Sequence, residues 1–355
     1  MQITTSNDSV DASCPPSDLV ALAAHVGANR LWVQGAGGNV SAKMHDVLWI
    51  KGSGKWMSNA YAEPIFAAVK LSGMRNRLTA DESDPAMSEL ISISPVGLRP
   101  SIETSMHVLL PHTYVVHVHS VNVIAHSVST EGFLQIERHL KGLRWACVPY
   151  ARPGIDLTNA ITNVLQGTSV DVLILVNHGL VIGGASRSTV EMLLNDVEAR
   201  LNLPVRTPPP VDLQAIEELS ADTPYCPAPT IELHAMAIDV IQRTIAVGGS
   251  LYPDHVVFLG PAVKSLNNQD IGGFLRARSR KGLDVPAVLL VPDVGVLLRR
   301  DLSAGALAMV DCLAMVLARI PSAEVRYLTS EQEASLLEWE AEKYRKSLSQ
   351  AVAQR

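Results

Sequence analysis

The chain has 355 residues, a length that admits one large domain or two ordinary ones with ample apolar residues for a core. Its 35 acidic and 29 basic residues leave a formal net charge of −6 without any long Lys/Arg block, which argues against nucleic acid or an anionic membrane as the main partner. The N-terminus lacks a charged and apolar leader, no apolar run reaches membrane-spanning length, and Cys14, Cys147, Cys226 and Cys312 are scattered, so a cytoplasmic protein with unpaired thiols is expected.

Residues 1–16 are polar, end in Pro15-Pro16 and read as a flexible tail. Ser17 then caps a helix with Leu19, Leu22, Ala23 and Val26 on one side. In the stretch 34–41, Gly35, Gly37, Gly38 and Asn39 free several backbone N–H groups to point one way. Two readings compete there: an anion-binding nest, or a tight turn between strands. Residues 46–51 read as a strand, followed by the small-residue loop Lys51-Gly52-Ser53-Gly54-Lys55. The loop lacks the Walker A spacing. Two such loops can still share one phosphate, with backbone donors, the Ser53 hydroxyl and Lys51 offsetting its charge, although a solvated hairpin tip has the same composition. A helix is expected over 63–72, an exposed polar stretch over 81–89, and a helix start at Pro100-Ser101 with Ser101 as its cap.

The segment 103–120 carries the densest chemistry. Glu103 and His107 lie one helical turn apart, so they share a face. Glu103 suits either a general base or a capping carboxylate in the first turn of a helix. Tyr114, Val115, Val116 and Val118 are strand formers around His117 and His119, which on a strand project from the same face and can touch one cation. Valine-flanked histidines are also common as hydrogen-bonded core residues, so a third ligand is needed. His178, at the polar break Asn177-His178-Gly179 between apolar runs 170–176 and 180–182, is the best candidate. Between them, helices are expected over 121–126, 131–140 and 156–165 and a strand over 145–148, with a helix over 186–203 closing the unit.

The motifs Gly37-Gly38-Asn39-Val40-Ser41, Lys51-Gly52-Ser53-Gly54, Ser101-Ile102-Glu103, His117-Val118-His119 and Asn177-His178-Gly179 occur in the order seen in the class II aldolase/adducin family, and residues 17–203 resemble it. In detail they look most like the aldolase half of bifunctional rhamnulose-1-phosphate aldolase/dehydrogenases. The resemblance implies a three-layer α/β/α fold with a central, mostly antiparallel sheet, zinc held by His117, His119 and His178, and Glu103 as the acid/base. It also implies that Gly38, Asn39, Ser53, Gly54 and Ser101, with Lys51 beside them, cradle a substrate phosphate. Ile102 departs from relatives that carry a second serine there, which puts the phosphate in doubt before the metal.

The activity implied is that of a zinc-dependent aldolase cleaving a small ketose 1-phosphate or related hydroxy-ketone through a metal-stabilised enediolate. Sugar-phosphate 4-epimerases, dehydratases and keto-acid phosphate decarboxylases use the same site, and adducin-like scaffolds share the fold without the histidines. Three imidazoles suit zinc, but manganese, cobalt or iron can occupy such a set. The resemblance also favours a homo-oligomer.

Residues 204–230 are proline-rich and read as an extended connector. Beyond it, helices are expected over 231–246 and 303–319, strands near 256–259 and 287–291, a solvated basic loop at 276–281, and an amphipathic helix over 330–349. Aligning Leu173–Gly184 with Val288–Arg299 suggests that 231–355 is a degenerate copy of the first unit, with Asp293 set against His178. No second His-x-His occurs, so no second metal site is expected, and His255 reads as structural.

Overall fold

The computed structural model describes residues 14–78, 85–91, 93–266 and 270–339. The proposed N-terminal tail up to residue 13 and residues 340–349 of the expected last helix lie outside the described residues, and the described part is helix Ser330–Glu338. Strands β1 (Asn39–Met44), β2 (Val47–Lys51), β3 (Phe66–Lys70), β4 (Tyr114–Val118), β5 (Trp145–Val148), β6 (Val172–Leu175) and β7 (Gly179–Gly184) form one sheet in the order β3-β2-β1-β4-β7-β6-β5. Every neighbouring pair is antiparallel except β5 with β6.

Alternation along the strands explains the three layers. Val116, Val118, Ile174, Leu180 and Ile182 pack to one side with helices Ser17–Gly27 and Arg187–Arg200. Val115, Leu173, Leu175 and Val181 pack to the other with Met106 of helix Thr104–Leu109 and with Leu157 and Ile161 of helix Ile155–Leu165. His117, next to Val116 and Val118, therefore lies on the second side.

Several local expectations differ from the structure. Residues 66–70 are strand β3 rather than helix, with helix Leu71–Leu78 following, because Phe66 and Ala68 enter one apolar cluster while Ala67 and Val69 enter another. A run buried on both faces loses the alternation that marks a strand. The stretch 204–230 is not wholly extended: Asp212 caps helix Leu213–Ser220, which buries Ile216. Residues 231–246 are broken at Asp239, which ends helix Ile231–Ile238 and caps helix Val240–Gly248 by accepting from the Ile241 and Gln242 N–H groups. Residues 256–259 belong to helix Pro253–Leu259; Pro253 at its first turn and Asp254 behind it are helix-start signals that outweigh the β-branched run. The basic cluster 276–281 lies mainly on helix Ile271–Arg280. Ser101 does not cap directly, because Thr104 is the first helical residue and Glu103 takes the cap position.

A second sheet, of β8 (Tyr225–Pro227), β9 (Lys264–Ser265), β10 (Val288–Val291) and β11 (Gly295–Arg299), runs in the order β8-β11-β10-β9. Its order and pairing senses match β4-β7-β6-β5. In each sheet a hairpin with a left-handed residue, Asn177 at φ 55° or Asp293 at φ 63°, leads to a 14-residue helix, Arg187–Arg200 or Ala304–Leu317. In this match Asp293 stands against Asn177 and Val294 against His178, one residue away from the sequence alignment.

The two sheets do not belong to separate bodies. Val121, Ile124, Ala125 and Val128 of the first half share an apolar cluster with Met236, Leu251, Val256 and Leu313 of the second. A polar strut crosses as well: the Arg319 Nε–H donates to Asn122 Oδ1 at 3.2 Å, and the Asn122 amide donates to Glu198 at 3.1 Å. The four cysteines are free thiols, and among the described residues no helix is long and apolar enough to cross a membrane.

His255 is fully buried, and burial pushes its pKa down to about 4. Between the ordinary imidazole value and that point the unfolded chain takes up a proton that the folded chain refuses, so stability falls on acidification through this window. Comparing urea midpoints at pH 7 and pH 5 should show His255→Asn losing about 2 kcal/mol less than the parent chain.

Candidate metal centre

Three chain segments bring the histidines together. His117 is the last but one residue of β4, His119 follows the strand directly, and Ser120 then caps helix Val121–Ser127 by accepting from the Val123 N–H. His178 sits in the turn between β6 and β7. That turn needs Asn177 in the left-handed region, which asparagine tolerates better than most residues. The Asn177 amide donates to the carbonyls of Leu251 (2.8 Å) and Arg326 (2.9 Å), both in the second half.

The ring centroids of His117, His119 and His178 lie 4.9–5.1 Å apart, all three rings are buried, and one ligand atom from each falls within 4.8 Å of the others. Burial pushes His178 down to about 3 and lowers His117 as well, so both are neutral imidazoles at pH 7, the state that binds metal. His117 Nδ1–H donates to the Leu180 carbonyl at 3.1 Å, which leaves Nε2 as the lone-pair atom. That Nε2, His178 Nδ1 and Glu103 Oε1 are buried and make no hydrogen bond. Buried polar atoms are rarely left so, and one cation beside three imidazoles resolves the conflict.

Glu103 faces the same space, its carboxylate 3.4 Å from His117 Nε2 and 3.5 Å from His178 Nε2. Burial pushes its pKa up, but the neighbouring imidazoles of His117, His178 and His119 and the Asn39 amide outweigh this and hold it below the usual carboxylate range. Asn39, opposite His117 in the β1/β4 register, holds Glu103 in place. Its amide donates to Glu103 Oε2 at 2.8 Å and to Ser101 Oγ at 3.0 Å, while its oxygen accepts from His107 Nε2–H. His107 Nδ1 then accepts from the Ser41 hydroxyl at 2.7 Å. His107 thus serves the site through Asn39. The Glu103/His107 spacing places the two residues on one face but does not show this link.

Gly38, Asn39, Lys51, Ser53, Gly54 and Ser101 line one small depression, together with Ala36, Ile102 and Glu103. The structure thus gathers every residue singled out for phosphate binding beside the carboxylate. Lys51 is buried and donates to the Ala36 carbonyl at 2.9 Å, tying the two glycine loops together. Gly38 has φ 60°, and a Cβ there would stand 2.6 Å from the His117 carbonyl, so only glycine lets this loop lie against β4. The residue that sequence reasoning misses is Asp254, whose Oδ2 lies 3.2 Å from His119 Nδ1.

A buried three-histidine cluster that could hold a metal ion thus lies beside a carboxylate on one side of a mostly antiparallel sheet with helices on both faces. The chain belongs to the class II aldolase and adducin N-terminal domain family, whose profile matches residues 17–199. It is 31% identical over 186 residues to YuxG, an uncharacterized oxidoreductase of Bacillus subtilis; the match covers 48% of this chain and spans only 27% of that protein. It is 28% identical over 203 residues to methylthioribulose-1-phosphate dehydratase of Citrobacter koseri, over 51% of this chain and 89% of the relative. A structure of the N-terminal class II aldolase domain of a conserved protein from Thermoplasma acidophilum is similar at 21% identity and a TM-score of 0.46, over 57% of this chain and 97% of that one.

Asn39→Ala removes two donors and one acceptor from Ser101, Glu103 and His107, all of them buried. The variant should unfold in urea at least about 2 kcal/mol more easily than the parent chain, the usual cost of leaving buried polar groups unpaired.

Proposed function

We propose that the chain is a zinc-dependent lyase that cleaves a carbon–carbon bond in a small ketose 1-phosphate or related hydroxy-ketone. The observation that carries this reading is the convergence of the buried rings of His117, His119 and His178 beside Glu103, with His117 Nε2 and Glu103 Oε1 buried there without a hydrogen bond. In this reading His117, His119 and His178 hold the cation, and Glu103 is the acid/base. A cation held there supplies Lewis-acid charge to neighbouring carbonyl and hydroxyl oxygens, worth several kcal/mol. Gly38, Asn39, Lys51, Ser53, Gly54 and Ser101 receive the phosphate and orient the sugar against the carboxylate. Glu103, buried and ionised, takes the proton of the hydroxyl whose carbon leaves as the aldehyde and returns it to the carbon left behind when the bond breaks; such positioned groups contribute roughly 10²- to 10⁴-fold.

The similarity to a methylthioribulose-1-phosphate dehydratase favours a second reading with the same residues. There Glu103 removes the proton from the carbon beside the carbonyl, and a hydroxyl leaves from the next carbon as water. We further propose that residues 17–203 form the catalytic unit and 231–355 its reduced copy, and that the protein works in the cytoplasm as a homo-oligomer.

Elemental analysis of protein purified without chelator or histidine tag should find one zinc per chain. His119→Ala should lose both that metal and turnover. Glu103→Gln should keep the metal and lose roughly 10²- to 10⁴-fold in kcat. Product analysis with ketose 1-phosphates separates the two reactions: an aldehyde plus a three-carbon ketose phosphate marks cleavage, whereas loss of water with the carbon skeleton intact marks dehydration. Activity in a metal-free His119→Ala protein would sink both readings.

A further inference from the structure

We propose that Asp254, delivered by the second half of the chain, is a positioning residue for the metal centre: its carboxylate accepts a hydrogen bond from the His119 Nδ1–H, fixing the tautomer that leaves Nε2 as the ring's ligand atom. The proposal rests on the metal reading given above and assigns the second sheet a task in the first sheet's site.

Geometry is the first support. Asp254 is buried, and its Oδ2 stands 3.2 Å from His119 Nδ1. An aspartate in the first turn of a helix ordinarily points to solvent and serves the helix dipole; this one is aimed instead at an imidazole on another element. Gly37 makes the approach possible, since a Cβ at that position would stand 2.8 Å from His119 Nδ1 and 3.2 Å from Asp254 Oδ2. The first glycine loop is therefore shaped around this contact as well as around the phosphate depression.

Topology is the second support. In the larger sheet, five residues, 140–144, join helix Thr130–His139 to β5. At the matching place in the smaller sheet, fifteen residues, 249–263, join helix Val240–Gly248 to β9, and they include helix Pro253–Leu259. The helix that carries Asp254 is thus an addition without a counterpart in the first unit. It is anchored on the first half: Leu251, two residues before it, accepts from the Asn177 amide next to His178. Val256 and Val257 of the helix share an apolar cluster with Val121 and Ile124, just after His119.

Chemistry is the third. A metal-bound histidine commonly gives its other N–H to a carboxylate, which fixes the tautomer and raises the basicity of the ligand nitrogen. The His117 tautomer is fixed by the Leu180 carbonyl, and the Asp254 carboxylate stands 3.2 Å from Nδ1 of His119. Asp254 itself is not part of the three-histidine cluster, so it is placed to orient a ligand and not to be one.

The test is zinc affinity of the full chain, measured by competition with a chromophoric chelator. Asp254→Ala and the isosteric Asp254→Asn should bind zinc 10- to 100-fold more weakly than the parent chain, and Asp254→Glu should recover part of the loss. Cobalt-substituted Asp254→Asn should show a shifted visible spectrum, which a purely structural role would leave in place. Melting of the metal-free proteins identifies any variant that fails to fold; Asp254→Asn, with unchanged shape, then carries the comparison. Asp293→Asn, which alters an exposed carboxylate of the same half, should bind zinc as the parent does. If the parent chain holds zinc and Asp254→Asn holds it equally tightly, the assignment of Asp254 is wrong while the metal site stands. If the parent chain holds no metal, both readings fall.

Discussion

The register of β4 between β1 and β7 governs the rest of the molecule. It sets Asn39 opposite His117 and His117 opposite Val181, and with a side-chain period of two a slip of one residue would turn His117 to the apolar side and bring valine to the site. Val116 and Val118 are the reason the slip does not occur, because each fills the cluster on the far side of the sheet. The placement of His117, a proposed metal ligand, is therefore secured by ordinary hydrophobic burial, and the polar side inherits its geometry from the apolar one. Glu103 is then positioned by the same strand pair, through Asn39.

What the chain carries at the centre is a concentration of conflict. Imidazoles that burial keeps neutral, a carboxylate kept ionised and nitrogen atoms without partners are each unfavourable in a dry interior. They persist because the surrounding valines and leucines over-determine the backbone. Local rules broken in one small region, while every other level agrees, are the usual mark of a site built for binding.

Much of this centre is legible in the amino-acid sequence. His117 and His119 can be recognised from strand periodicity, and His178 from a polar interruption between apolar runs, since these patterns survive folding unchanged. The two glycine loops are visible as loops, yet nothing local shows that both press against Glu103. Asn39 looks like one more loop donor; its place as the hub between Ser101, Glu103 and His107 depends on pairing with a strand far along the chain. Asp254 is hidden twice, by a β-branched run that masks a short helix and by a contact that joins opposite halves. The smaller sheet is harder to read because the positions matching His178 and His117 carry Val294 and Pro227, which leaves only hydrophobic rhythm to compare, and that rhythm permits an alignment shifted by one.

The bonds from the Asn177 side chain to the carbonyls of Leu251 and Arg326 bear on how such a protein can change over time. A unit whose own hairpin leans on the backbone of the other half has given up modularity. It is poorly suited to exchange between gene fusions as a free-standing cassette, and substitutions near Leu251 and Arg326 are constrained by a turn that lies outside their own half.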